Sequence, residues 1–134
     1  LVVVDADASK GADLAASKQP MVTIIVAGET ARAQNFSLGG YGKQTNPLLE
    51  KQDITYFSDT TSCGTATATS IPCMFSKYGR RDFNFERGQF TENLLDVFRH
   101  AGVQAEWWEN NTGDKGVAAR SPSTDFSALN DPAY

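Results

Sequence analysis

Groups able to do phosphoryl chemistry are densest between Ser62 and Cys73, in the run Ser-Cys-Gly-Thr-Ala-Thr-Ala-Thr-Ser-Ile-Pro-Cys. The run sets Thr65, Thr67, Thr69 and Ser70 between the chain's 2 cysteines. Gly64 allows a tight or left-handed backbone at low steric cost. Threonine and serine are residue types that start helices, where unpaired N–H groups and the helix dipole favour an anion. A hydroxyl held there can meet a phosphate. It is a weak nucleophile near neutral pH and needs a base or a metal to activate it. The same residues also read as a Ser/Thr-rich loop stapled by a disulfide, with Thr67 as a helix cap. On either reading Cys63 and Cys73, placed on both sides of the hydroxyls, are expected to pair.

A second candidate group is Glu29. It follows Met21-Val22-Thr23-Ile24-Ile25-Val26-Ala27, a near-continuous apolar run of the kind that forms a central parallel strand. In open α/β sheets, sites gather beyond the carboxyl ends of strands. A carboxylate there is a metal ligand or the charge at a helix start. Thr30 offers a competing hydroxyl beside it.

Further elements follow in order. The Gly- and Asn-Pro-containing stretch 31–50 reads as a loop, with a short helix over Pro47–Lys51. Ile54–Phe57 is predicted as a strand, and a short helix is predicted to start near Thr67 with Pro72 as a kink or boundary. Lys77–Arg87 reads as an exposed connection. Thr91–Ala101 is the clearest helix: Thr91 as cap, Glu92 in the first turn, Phe90, Leu94, Leu95, Phe98 and Ala101 as the apolar face, and Gly102 as terminator. His100, the lone histidine, is expected to act as a charge at that helix's C-terminus. Val103–Trp108 is predicted as a strand with one tryptophan in the core and one at the surface. Glu109–Gly116 is then a polar loop, and the chain after Arg120 is expected to be weakly ordered. Alternating strands and helices indicate an α/β fold with parallel strands. Leu1–Pro20 reads as a linker or connection.

A net charge of −4 supplies no basic surplus to neutralise phosphates, which argues against a nucleic-acid binder. No apolar run approaches the ~20 residues of a membrane span. Leu1–Val4 is too short for a signal-peptide core. The cysteines have no neighbouring Cys or His that would suggest structural zinc.

Several blocks together carry a resemblance: Gly28-Glu29-Thr30-Ala31-Arg32-Ala33, Asn35-Phe36-Ser37-Leu38, Gly40-Tyr41, Thr45-Asn46-Pro47, and Cys63-Gly64-Thr65 through Pro72-Cys73-Met74-Phe75-Ser76. From about Val22 to about Arg120 the chain resembles the catalytic domain of the lipid A phosphoethanolamine transferases. That family includes the mobile colistin-resistance enzymes and belongs to the alkaline phosphatase/sulfatase superfamily. The resemblance implies an alkaline phosphatase-like α/β domain, a mostly parallel sheet flanked by helices, present only in part: residues 21–134 would be its N-terminal portion.

It further implies zinc-dependent transfer of phosphoethanolamine from phosphatidylethanolamine to a lipid A phosphate through a covalent threonine intermediate. Thr67 would be the nucleophile and, with Glu29, a zinc ligand. Thr65, Asn111 and Lys115 would contact the substrate. A related transferase with another glycan acceptor, a phosphoglycerol transferase, or a non-catalytic fragment of the fold are the alternatives. The family is anchored in the bacterial inner membrane by preceding helices, with a periplasmic catalytic domain, so this chain reads as a soluble piece. Relatives take further zinc ligands from an Asp-His-Gly-Glu block that does not follow Arg120, so weak zinc binding and an inactive isolated piece are expected. Asp114 and Ala118 stand where relatives often carry cysteines of a second disulfide.

Overall fold

A computed structural model describes residues 1–128 as two compact units. The first comprises Leu1–Ile24 and the residues from Ser62 onward; the second is Ile25–Thr61.

The first unit holds α1 (Ala12–Ala16), α2 (Thr67–Phe75), α3 (Phe85–Gln89), α4 (Leu94–His100), β1 (Trp107–Glu109) and β2 (Ser123–Asp125). Its core is Phe75 from α2, Leu95 from α4, and Val117 and Ala118 from the loop after β1. Ile71, Phe98, Ala105 and Trp107 pack against this cluster. Trp107 meets Phe75 edge-on at 5.3 Å, while Trp108 is exposed and stands 5.6 Å from Phe126. Period-two side-chain alternation along β1 therefore divides the tryptophans between core and surface.

β1 and β2 pair in parallel, with Trp107 opposite Ser123 and Glu109 opposite Asp125. The tail expected to be weakly ordered thus supplies a strand as far as Asp125, and residues 129–134 lie outside the described residues. This two-stranded parallel sheet with flanking helices is a mixed α/β arrangement in which only part of a sheet is present.

Two predicted strands are absent. Met21–Ala27 and Ile54–Phe57 belong to no regular element, and Val22 and Val26 are more than four-fifths exposed. An apolar strand is held by neighbours on its ladder and faces. Among the described residues no strand pairs with either run. The predicted helix near Pro47 is a single 3-10 turn, Leu49–Lys51. Within Lys77–Arg87, read as connection, α3 begins at Phe85, capped by Asn84.

α4 starts later than its pattern implied. Asn93 is the N-cap, accepting from Leu95 N, while the Asp96 carboxylate accepts from Asn93 N, which completes a capping box. Thr91 and Glu92 precede the helix, both buried, where Val2 makes a parallel bridge to Thr91. Phe90 is exposed rather than part of the apolar face. Gly102, at φ +67°, follows the C-cap in the left-handed region that terminates helices.

Candidate active site

α2 begins at Thr67. Ala66 is its N-cap, in an extended conformation, and its carbonyl accepts from the amides of Thr69 and Ser70. Alanine has no side chain to cap with, so the positive end of the helix is not covered by its own cap residue. Upstream, Ser62 Oγ accepts from Gly64 N at 3.2 Å and lies 3.0 Å from Ser70 Oγ. Cys63 and Cys73 form a disulfide with their Cα atoms 6.2 Å apart, closing the segment on itself. A Cβ on Gly64 would come within 3.2 Å of the Thr69 methyl, so glycine lets the loop lie close on the helix. Thr67 is half-buried and Thr65 exposed. Pro72 lies inside α2, whose far end buries Cys73 and Phe75 in the first unit.

The loop after β1 packs on the same core through Val117 and Ala118. A cleft of about 490 Å³ is lined by Ala68 and Pro72 of α2, by Phe85 and Phe90, and by Lys115 and Val117 of the loop. It brings the flank of α2 and Lys115 to one concavity. Lys115 Nζ donates to the carbonyl and to the hydroxyl of Thr112. An ammonium has three hydrogens, of which these bonds use two. Asn111 is exposed on the same loop.

Glu29 and Thr30 lie in the second unit, at a bend just past the apolar run. Thr30 Oγ1 donates to Glu29 Oε1 at 2.9 Å, and Thr30 has φ +54°, unusual for a β-branched residue. Glu29 and Thr67 are oxygen donors of the kind zinc binds, but a tetrahedral site needs about four ligands. Among the described residues no three or more His, Cys, Asp or Glu side chains converge. The donors fit zinc in kind and fall short in number.

The polar groups that fasten the first unit were not singled out from the sequence. Asp96, 2% exposed, accepts from Arg120 Nε at 2.8 Å and Nη2 at 2.6 Å, and from Arg99 at 3.2 Å. Burial pushes its carboxyl up, but the hydrogen bonds from Arg120 and Asn93 N and the charges of Arg120 and Arg99 outweigh this, leaving it below the usual carboxylate value. Arg120 is raised in turn, first by its hydrogen bond to Asp96. Glu92 accepts from Val4 N at 3.0 Å and pairs with His100 at 2.8 Å. Its carboxyl is lowered by the His100 hydrogen bond and then by that from Val4. His100 thus sits in the last turn of α4 with a specific carboxylate partner as well as the helix end. The Asn-x-x-Asp spacing of 93 and 96 was the available signal for this cluster.

Comparison with known proteins places these features in a family. The sulfatase family model matches residues 22–132. The chain belongs to the sulfatase family. It is 44% identical over 132 residues to phosphoethanolamine transferase EptA of Escherichia coli K12, covering 98% of this chain and 24% of that protein. To phosphatidylethanolamine transferase Mcr-1 of Escherichia coli it is 42% identical over 111 residues, 82% of this chain and 20% of the relative. The integral membrane lipooligosaccharide phosphoethanolamine transferase A of Neisseria meningitidis superposes with a TM-score of 0.83 at 38% identity, covering 99% of this chain and 25% of that one. This sulfatase-family chain spans about a fifth to a quarter of the length of these relatives. The expected alkaline phosphatase-like domain, present in part, agrees with that superposition.

Proposed function

We propose that this chain forms part of the catalytic domain of an enzyme that moves phosphoethanolamine from phosphatidylethanolamine to a phosphate of lipid A, with Thr67 as the nucleophile. The observation that carries the proposal is the position of Thr67 as first residue of α2, a helix whose Ala68 and Pro72 line one cleft with Lys115. Amide groups at a helix start and a lysine charge are suited to the oxygens of a transferring phosphoryl group. In the first half-reaction the Thr67 oxygen bonds to phosphorus and loses its proton. The ester bond to diacylglycerol breaks, and the departing oxygen takes up a proton. In the second, an acceptor phosphate oxygen bonds to the same phosphorus, the bond from phosphorus to the Thr67 oxygen breaks, and Thr67 takes up a proton as the acceptor gives one up. Thr65, Asn111 and Lys115 hold the phosphoethanolamine.

Glu29 and Thr67 are proposed as two ligands of a zinc ion in the full-length protein, where it would add Lewis acidity at the phosphoryl group. No step above runs through it. Membrane attachment in the full-length protein, as in the integral membrane relative, and a periplasmic location would put the site beside its lipid substrates, and a disulfide suits that oxidising compartment. Among the described residues no helix is long and apolar enough to cross a membrane.

Incubating the full-length protein with phosphatidylethanolamine and mapping the added group by tandem mass spectrometry tests the proposal. The adduct is expected on Thr67 and is absent from Thr67→Ala. An adduct on Thr30, or one that survives in the Thr67 variant, overturns it.

A further inference from the structure

Lys115 stands at φ +54°, in the left-handed region, between Gly113 at φ +96° and Gly116 at φ +85°. A lysine gains nothing intrinsic from that conformation, which costs roughly 1 kcal/mol or more and persists only where surrounding contacts impose it. Asp114 contributes to that turn through its backbone, its carbonyl accepting from Val117 N at 3.1 Å, and through its side chain. Asp114 Oδ1 accepts from Gly116 N at 2.9 Å, and Asp114 Oδ2 accepts from Ala118 N at 2.7 Å. One carboxylate therefore ties residue 114, before Lys115, to two amides that follow it. Beyond these bonds, Asn93 Nδ2 donates to Val117 O at 2.8 Å, and Val117 and Ala118 enter the core beside Phe75 of α2. The chain of contacts runs from the Lys115 backbone through Asp114 to the helix that begins at Thr67.

We infer that Asp114 is a positioning residue for Lys115: its carboxylate fixes the left-handed turn that presents the lysine ammonium to the cleft beside α2. Asp114 itself touches no reacting atom. Its two oxygens, each taking one backbone amide, tie residues 114, 116 and 118 together around the lysine. Loss of these bonds lets the backbone at 115 relax to an ordinary conformation and swings Nζ out of reach. A displacement of about 1 Å at a substrate-positioning group is enough to cost up to ~100-fold in rate.

The inference rests on the proposed contact of Lys115 with the phosphoryl group, and the test separates the two. In the full-length protein, kcat/KM for phosphoethanolamine transfer is measured for Asp114→Ala, Asp114→Asn, Lys115→Ala and the double variant Asp114→Ala/Lys115→Ala, with thermal unfolding as the control for folding. Asp114→Ala is expected to lower kcat/KM about 10- to 100-fold, chiefly through KM, and Asp114→Asn less, because its amide oxygen can still accept one backbone bond. In the Lys115→Ala background the aspartate substitution is expected to add less than about twofold, since it acts only through the lysine. A merely structural aspartate would instead multiply its loss in both backgrounds, and that result overturns the inference. So does Asp114→Ala at parental kcat/KM while Lys115→Ala is impaired. If Lys115→Ala retains parental kcat/KM, the substrate contact itself falls and takes this inference with it.

Discussion

The two units spend their apolar residues differently. Every buried residue among those described, from Val4 to Ala118, belongs to the unit formed by Leu1–Ile24 and the residues from Ser62 onward. Ile25–Thr61 buries none, although it opens with Ile25-Val26-Ala27. It is held by local bonds instead: 3-10 turns at Ala33–Asn35, Ser37–Gly39 and Leu49–Lys51, Ser37 N donating to Thr45 Oγ1 at 2.9 Å, and Asn46 N donating to Ser37 Oγ at 3.0 Å. Hydrophobic sequence does not by itself make a core. Phe75, Leu95, Val117 and Ala118 come from three separated segments that face one another, whereas the run at 21–27 has no described partner.

Amide hydrogen exchange should expose this difference most strongly. Local opening free energies range from near zero in weakly packed segments to the global value in the core. In the 134-residue chain, amides of α4 are expected to exchange at least about a thousandfold more slowly than those of 25–61. Comparable protection in both units would break the comparison.

Next in size is the ion cluster of the first unit. Asp96→Ala leaves Arg120 facing a buried gap and is expected to cost about 3 kcal/mol in urea unfolding, the lower end of the range for breaking a buried pair, because Arg120 is partly exposed. Arg99, more than half exposed, contributes little to the same cluster, so Arg99→Ala should stay within about 0.5 kcal/mol. The cluster also sets an acid limit. Asp96 and Glu92 are both held below their ordinary values of 3.8 and 4.5. A carboxyl depressed on folding stabilises above its unfolded value, and that contribution is lost as pH falls through the folded one. Stability of the first unit should therefore be flat above about pH 5 and decline below pH 4. In Asp96→Asn the decline should be shallower; an unchanged slope would remove Asp96 as its source.

Reduction of Cys63–Cys73 comes third. Opening a loop of this length should cost about 2–3 kcal/mol by the chain-entropy model. The loss should appear in the melting of α2 under dithiothreitol, with no change in the exchange rates of 25–61. Equal effects in both units would show that the disulfide does not act locally.

Much of the first unit was legible in the sequence. The termination of α4 by Gly102 and the split fate of Trp107 and Trp108 follow from local rules of left-handed glycine and strand alternation, whereas α2 starts at Thr67 behind Ala66, so Thr67 is the first helical residue and not the expected cap. The cap of α4 was misplaced because Thr91 and Asn93 are both good caps, and only the reciprocal bond from Asn93 N to Asp96 decides between them. Val2, which bridges to Thr91, and β2 depend on partners 89 and 16 positions away (91 − 2 and 123 − 107). No local pattern encodes such pairings. For the candidate site, residue types offered a cluster of hydroxyls and a carboxylate past an apolar run, and only the family resemblance singled out Thr67, Lys115 and the zinc-ligand role of Glu29; the two backbone bonds of Asp114 have no local sequence signal.

The smallest expected effect sharpens the contrast most cheaply. Val26 is 84% exposed in the second unit, and Leu95 is 6% exposed in the first. Both are aliphatic, so a rule based on residue type would assign them similar costs. Burial predicts otherwise. Leu95→Ala removes packed atoms from a closed cluster and should cost about 2–5 kcal/mol. Val26→Asn exchanges one solvated side chain for another and should change stability by less than about 0.5 kcal/mol. Urea denaturation of the two variants of the 134-residue chain, followed by circular dichroism, makes the measurement. A loss above about 1 kcal/mol for Val26→Asn would mean that the run at 21–27 is covered in solution, and the second unit would then have a core of its own.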